Sequence, residues 1–430
     1  MGKKILYISS LDPTMGPGAI AMDHYKAFKL YGYDVDFLTL LPVKSHPEIK
    51  YAIDKPYSKY SFHQFRYKLI KQFTKSYHYK DCGFFYRKET EPPVPIKLIL
   101  DKIDNDYDII IVYFWQKLLS YKTLESVYDH NIAKPNPKVV FFNADYSTIT
   151  GGCHFVGNCE NYKNGCGKCP MINSKSAKDF TSWNVKFRKA IIERIRPYVF
   201  TNSYMRPFFE NSSVMKSGAC ICSSKMILDL NKFLRIERRL LESKYGITEK
   251  DKFVILFGCQ DLNDKRKGME YLVKSLKLFF AGLTKEEKES VLILTIGKNP
   301  KIINDAIDAR MKHLGFISVD TLPEIYSLAN VFLSPSVNDA GPTMVNQAIA
   351  CSTPVIAFEI GSALDVVKDK GTGYCVPLKD IEAFGKSIER VFRMPKEEYN
   401  DMQRTCRDIA EQMHSYKSFI NNFINEILLN

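Results

Sequence analysis

The stretch Ser334–Phe358, SPSVNDAGPTMVNQAIACSTPVIAF, reads as a strand end, a turn with one carboxylate, a helix and a second apolar strand. The first strand is Val331–Leu333, the helix opens at Gly341–Pro342, and the second strand is Pro354–Phe358. Proline at a helix start has its φ already set and loses no hydrogen bond there. The unpaired amides of that first turn carry the positive end of the helix dipole and suit a phosphate. Asp339 stands just before the turn, and Gln347 follows eight positions later, slightly more than two helical turns, so both are expected on one helix face. This is a place to hold a phosphorylated ligand beside one acid.

Working outward, the same alternation of strand and helix recurs. Phe253–Phe257 and Val291–Ile296 read as strands buried on both faces, with helices at Met269–Phe280 and Leu322–Leu328. An earlier series has strands at Lys4–Ser9, Val35–Leu40, Ile109–Phe114 and Val139–Phe142, with a helix at Ala19–Leu30. Such alternation implies parallel sheets. The polar stretch Asn211–Lys232 is the linker candidate, and Pro395–Leu429 reads as one long amphipathic helical stretch. The expected fold is therefore α/β, two doubly wound Rossmann-like domains with ligands in the cleft between them.

A chain of 430 residues is too long for one ordinary core, and 45% hydrophobic with 25% charged residues is usual for a globular protein. The net charge of +13 is uneven. Residues 1–210 hold 31 Lys and Arg against 20 Asp and Glu; the remainder hold 30 against 28. The first half carries the positive field. No apolar run approaches the ~20 residues a bilayer span needs. The opening MGKKILYISS reads as a buried strand and not a signal peptide. Cytoplasm is the expected compartment, with peripheral contact at the inner membrane face.

The second half resembles the retaining family 4 glycosyltransferases of the two-domain GT-B type. The matching stretches are FGCQDLNDKRKGMEYL (Phe257–Leu272), HLGFIS (His313–Ser318), the opening stretch and GTGYCVPLKD (Gly371–Asp380). The resemblance implies a nucleoside diphosphate sugar as donor, held on a C-terminal domain of residues 229–410. Lys267 and Gly268 match a Lys-Gly pair that stabilises the diphosphate, with Arg266 beside it, Gly341, Thr343 and Met344 supplying amides and Pro342 shaping the turn. Asp339 matches the acid near the donor sugar, and Gln347 stands where the family has a second acid that grips the ribose hydroxyls. A glutamine still bonds a hydroxyl, without charge. Asp365, in GSALDVV, matches a further carboxylate position. No divalent cation is expected to be required, because Lys267 and helix amides take its place.

The N-terminal domain, residues 1–228, is expected to bind the acceptor, and residues 411–430 to form a helix packing back on it. The loop Leu11–Gly18 resembles the family's glycine-bearing loop, where Gly16 and Gly18 let the backbone approach a ligand; an ordinary turn fits equally. A basic aromatic insertion spans 44–97. Its residues 44–88 hold 11 Lys and Arg, three acids and 12 Tyr or Phe. This composition suits an anionic membrane surface or lipid-phosphate acceptor, ahead of a solvated basic face, and no nucleic-acid partner is expected. The segment NADYSTITGGCHFVGNCENYKNGCGKCP (Asn143–Pro170) resembles a motif of transferases in capsule, colanic acid and O-antigen assembly. These read His-Asp before Thr-Gly-Gly-Cys; here Asp145 keeps the acid, and Ala144 replaces the histidine. Cys153, Cys159, Cys166 and Cys169, with His154 to spare, leave open a structural zinc, free thiols or a disulfide, and an iron–sulfur cluster.

These readings converge on a retaining glycosyltransferase moving a sugar to a lipid-linked or oligosaccharide acceptor in surface polysaccharide synthesis, with Asp339, Lys267 and Asp145 at the chemistry. Ala144 and Gln347 also admit a non-catalytic subunit that binds a sugar nucleotide or glycan.

Overall fold

The structure, a computed structural model, describes residues 2–14, 16–55, 83–84, 88–300, 303 and 305–428. Most of the basic aromatic insertion, residues 56–82 and 85–87, lies outside the described residues. The chain divides into two compact units, one of residues 1–201, 205–224 and 420–430, the other of residues 202–204 and 225–419.

The first unit is built on a seven-stranded sheet. Its strands are β1 (Lys4–Ile8), β2 (Asp34–Thr39), β3 (Lys50–Tyr51), β4 (Ile109–Tyr113), β5 (Lys138–Phe142), β6 (Tyr198–Thr201) and β7 (Cys220–Ser223). They run parallel in the order β3-β2-β1-β4-β5-β6-β7. Every residue of Ile109–Tyr113 is buried, as a central strand covered on both faces requires. Helix α1 (Pro17–Leu30) and helix α2 (Phe180–Ile195) belong to this unit. Asp179 caps α2 by accepting the amides of Thr181 and Ser182.

The second unit has a six-stranded parallel sheet of β8 (Phe253–Asp261), β9 (Val291–Lys298), β10 (Met311–His313), β11 (Val331–Ser334), β12 (Val355–Phe358) and β13 (Gly373–Val376). Its order is β10-β9-β8-β11-β12-β13, with Leu333 opposite Phe257 and Ser334 opposite Ala357. Helices α3 (Met269–Ala281) and α4 (Thr343–Ala350) follow β8 and β11. The strand order reverses at β8/β11, the switch point where doubly wound sheets bind ligands at the carboxyl ends of their strands. In the first sheet the reversal falls at β1/β4.

Two expectations need correction. The linker candidate contains β7, an edge strand of only four residues, CICS, set within a polar stretch. The C-terminal stretch is two helices, α5 (Lys396–His414) and α6 (Tyr416–Ile427). Ser415 between them is extended, and its Oγ accepts the Ser418 amide, which caps the second helix. Phe423 on α6 packs edge-on against Phe28 at 4.8 Å and stacks on Phe200 at 6.2 Å.

Candidate functional site

In the second unit, three loops at the carboxyl ends of β8, β11 and β12 converge. After β8 the chain makes a 3-10 turn, Lys265–Lys267, begun by Asp264, whose carboxylate accepts the Arg266 amide at 3.0 Å. Gly268 ends the turn in the left-handed region at φ +70 and forms the N-cap of α3. A Cβ there would stand 1.8 Å from the Pro335 carbonyl oxygen, so only glycine fits. The Arg266 carbonyl accepts the amides of Val337 at 2.8 Å and Asn338 at 3.3 Å, which staples the basic turn to the loop after β11.

That staple brings Lys267 Nζ to 2.5 Å from Asp339 Oδ2. The other carboxylate oxygen accepts the Gly341 amide at 3.1 Å. Asp339 is 9% exposed. It lies in the loop, and α4 begins only at Thr343 with Pro342 as its N-cap. The expected shared helix face of Asp339 and Gln347 is thus absent, because the helix starts four residues after the acid. The first-turn amides of α4, at Thr343 and Met344, precede the Val345 amide, which returns to the Pro342 carbonyl. After β12, Gly361 at φ +57 approaches the Pro342 ring, and Ser362 Oγ accepts from Asn346 Nδ2 at 2.9 Å. Asn346 Oδ1 is buried and has no partner among the described residues.

The structure places three further sequence-derived residues. Arg266 folds back on Asp264, Nη2 to Oδ2 at 2.5 Å, so its charge is already engaged. Gln347 is buried, and its Oε1 accepts the hydroxyl of buried Tyr326 at 3.0 Å. Only its amide nitrogen is left to meet a ligand. Asp365 sits half-buried in the short helix Ala363–Val366. Asn346 and Ser362 carried no sequence signal, since each is a common polar residue within an apolar run.

In the first unit, Asp145 lies in the loop after β5 and is 5% exposed. Its Oδ1 accepts the Ser147 amide at 2.8 Å and hydroxyl at 2.5 Å; its Oδ2 lies 2.5 Å from His154 Nδ1. The His154 ring faces that of Phe114, centroids 6.0 Å apart, just beyond β4. Phe114 holds φ +49, and its carbonyl accepts the Ser10 amide at 3.0 Å and hydroxyl at 2.5 Å. A histidine nine residues downstream of Asp145 thus pairs with that carboxylate. Sequence reading treated His154 only as a spare metal ligand. The loop is anchored by a buried ion pair, Arg188 Nη2 to Glu89 Oε1 at 2.5 Å, while Arg188 Nη1 donates to the carbonyls of Ser147 and Thr150. Gly16 holds φ +51 with open space around it, whereas a Cβ at Gly18 would meet the Asp12 carbonyl at 1.9 Å.

Cys153, Cys159, Cys166 and Cys169 line one small cavity with Phe84, Val156 and Met171. Cys159, Cys166 and Cys169 are free thiols. Burial pushes the thiols of Cys166 and Cys169 up, to about 12 and about 11. Among the described residues no group of three or more Cys, His, Asp or Glu is arranged to hold a metal ion. The described residues therefore do not fit the expected zinc site, nor an iron–sulfur cluster. His154 is instead engaged with Asp145.

The sequence and the fold both have counterparts in known proteins. Residues 238–409 match the family model of glycosyl transferases group 1. That match lies wholly within the second unit. The chain is 25% identical over 186 residues to the putative glycosyltransferase EpsD of Bacillus subtilis, covering 41% of this chain and 44% of that one. It is 37% identical over 62 residues to the putative colanic acid biosynthesis glycosyl transferase WcaC of Escherichia coli K12, 14% of this chain and 15% of that one. The matches span between 37% and 54% of the lengths of the first three curated relatives. Among solved structures, Anabaena HepE in complex with UDP-glucose superposes with a TM-score of 0.61 at 14% identity, covering 99% of each chain. The expected pair of Rossmann-like domains of GT-B type is thus present. No helix of the described residues is long and apolar enough to cross a membrane.

Proposed function

We propose that the chain is a retaining glycosyltransferase that moves a sugar from a nucleoside diphosphate sugar onto a lipid-linked or glycan acceptor in surface polysaccharide synthesis. The observation that carries this reading is the Lys267–Asp339 pair, held at 2.5 Å beside the amino end of α4 at a switch point. The UDP-glucose bound by HepE and the colanic acid role in the name of WcaC support it.

In this mechanism Lys267 and the amides of Thr343 and Met344 take the diphosphate, with Gly341 and Pro342 shaping the turn. Charge grows on the leaving diphosphate as the glycosidic bond breaks, so a fixed ammonium and oriented amides stabilise the transition state more than the ground state. Binding draws Lys267 towards phosphate and leaves Asp339 to face the developing positive charge on the sugar. Gln347 offers its amide N–H to a ribose hydroxyl, its oxygen being held by Tyr326. The first unit supplies the acceptor side through Asp145, oriented by Ser147 and paired with His154. The acceptor is presented at the inner membrane face, where the positive field of residues 1–210 favours an anionic lipid.

The deciding experiment incubates a panel of nucleotide sugars with the protein and a membrane extract, and reads products by mass spectrometry. One donor is expected to give a glycosylated lipid or glycan with released nucleoside diphosphate. Tight nucleotide binding without turnover across the whole panel points instead to the binding subunit that Ala144 and Gln347 admit.

A further inference from the structure

We infer that the outer face of α2, together with the loop before it, docks the protein on a bilayer rich in anionic lipid. This deepens the reading of an acceptor presented at a membrane and is independent of the donor site. Residues 168–190 expose Lys168, Lys175, Lys178, Lys186 and Lys189. Among them stands Trp183, 67% exposed. The loop and helix form one surface. The Lys168 amide donates to the Ser176 carbonyl at 2.7 Å, and Trp183 Nε1 donates to the Lys178 carbonyl at 3.3 Å. Trp183, Lys186 and Lys189 follow at helical spacing, while Val185, Ile191 and Ile192 point into the core.

The sole acid in this stretch is Asp179, and its carboxylate is spent on the amides of Thr181, Ser182 and Cys169. The first exposed acid, Glu193, comes one turn beyond Lys189, and the next cation, Arg194, is taken by Asp129. Among the described residues of this stretch the patch is thus positive, with no exposed acid at its centre. Charge alone suits any polyanion. The exposed indole favours a bilayer, because tryptophan prefers the headgroup region, where its ring is sheltered and its N–H stays among polar groups. Lysine stems reach alongside and leave their ammonium groups among lipid phosphates.

The test is co-sedimentation of the full chain with vesicles of equal parts phosphatidylcholine and phosphatidylglycerol, against phosphatidylcholine alone. Each lysine close to an anionic surface is worth about fivefold in partitioning. The triple variant Lys175→Glu, Lys178→Glu, Lys186→Glu is therefore expected to lose about a hundredfold or more of the binding. The chain has two tryptophans, and Trp115 is buried, so a blue shift of indole emission on mixed vesicles reads Trp183 and disappears in Trp183→Phe. All these side chains are exposed, so melting temperature and nucleotide binding should stay at wild-type values, which keeps this test separate from the donor reading. Wild-type sedimentation by the triple variant, or sedimentation without an emission shift, overturns the proposal and moves the contact to another surface. Equal binding to both vesicle types overturns it too, as does lysine-dependent binding of single-stranded RNA without vesicle binding.

Discussion

Replacing Gly268 by alanine tests the donor site through its backbone. The new Cβ would stand 1.8 Å from the Pro335 carbonyl oxygen, against an ordinary carbon–oxygen contact of about 3.3 Å. The two loops must therefore separate by roughly 1.5 Å, and the residue must also hold φ +70, which costs a non-glycine about 1 kcal/mol or more. Adding about 1–3 kcal/mol for forced overpacking gives a destabilisation of about 3 kcal/mol, a fall of about 10 °C in melting temperature for a unit of this size. Gly315 provides the control. It too has positive φ, +73, but nothing lies within 4 Å of its Cβ position, so Gly315→Ala should lose only about 1 kcal/mol. The functional readout is sharper. Loop separation carries Lys267 away from Asp339 and α4, and a misplacement of about 1 Å at a reacting centre costs about a hundredfold in rate. Calorimetric melts, titration with UDP and turnover of the donor found by the panel would be measured on both variants. If Gly268→Ala matches Gly315→Ala in all three, the stapled-loop account of the site is wrong.

Lys267→Met should lower turnover about a hundred- to a thousandfold, as losing one oxyanion donor does, with stability changed by only about 1–2 kcal/mol; wild-type turnover would remove Lys267 from the diphosphate. Tyr326→Phe leaves Gln347 Oε1 buried without its donor, so a loss of about 1–3 kcal/mol in stability and a raised KM for the nucleotide sugar are expected, read by melts and steady-state kinetics. His414 is fully buried, and burial pulls its imidazole down to about 4, against a weaker opposing effect of its bond to the Met226 carbonyl. The folded state thus binds fewer protons than the unfolded chain, whose imidazole titrates near ~6.5. Its contribution is complete above that pH and drains away as pH falls towards 4. Melts from pH 7 to 4.5 should show this decline, flattened in His414→Gln.

The strand–turn–helix of Ser334–Phe358 was legible because its determinants are local: an apolar run, a proline beside the helix start and the acid before it. Lys267 was singled out through the resemblance of Lys267–Gly268 to a Lys-Gly pair, and Gly268 does cap the helix that follows. What escaped depends on distance along the chain. Arg188 and Glu89 meet across 99 positions, and nothing in either neighbourhood advertises the pairing. His154 reaches Asp145 only because the loop doubles back, with the Tyr146 amide bonded to the His154 carbonyl at 2.9 Å. Helix periodicity ran unbroken through Ser415, although serine is a favoured N-cap and offered a signal for the break. Arg266 was read as standing beside Lys267 at the diphosphate, yet Asp264, two positions earlier, pairs with it.

The return of α6 to the first unit has a practical corollary for anyone dissecting the molecule. A fragment stopping at Ser224 would lack Phe423, leaving Phe28, Phe142 and Phe200 with an open flank where an aromatic ring had covered them. Cutting the polypeptide once cannot yield both halves whole, so the amino-terminal half should be expressed with residues 420–430 joined back on by a short tether.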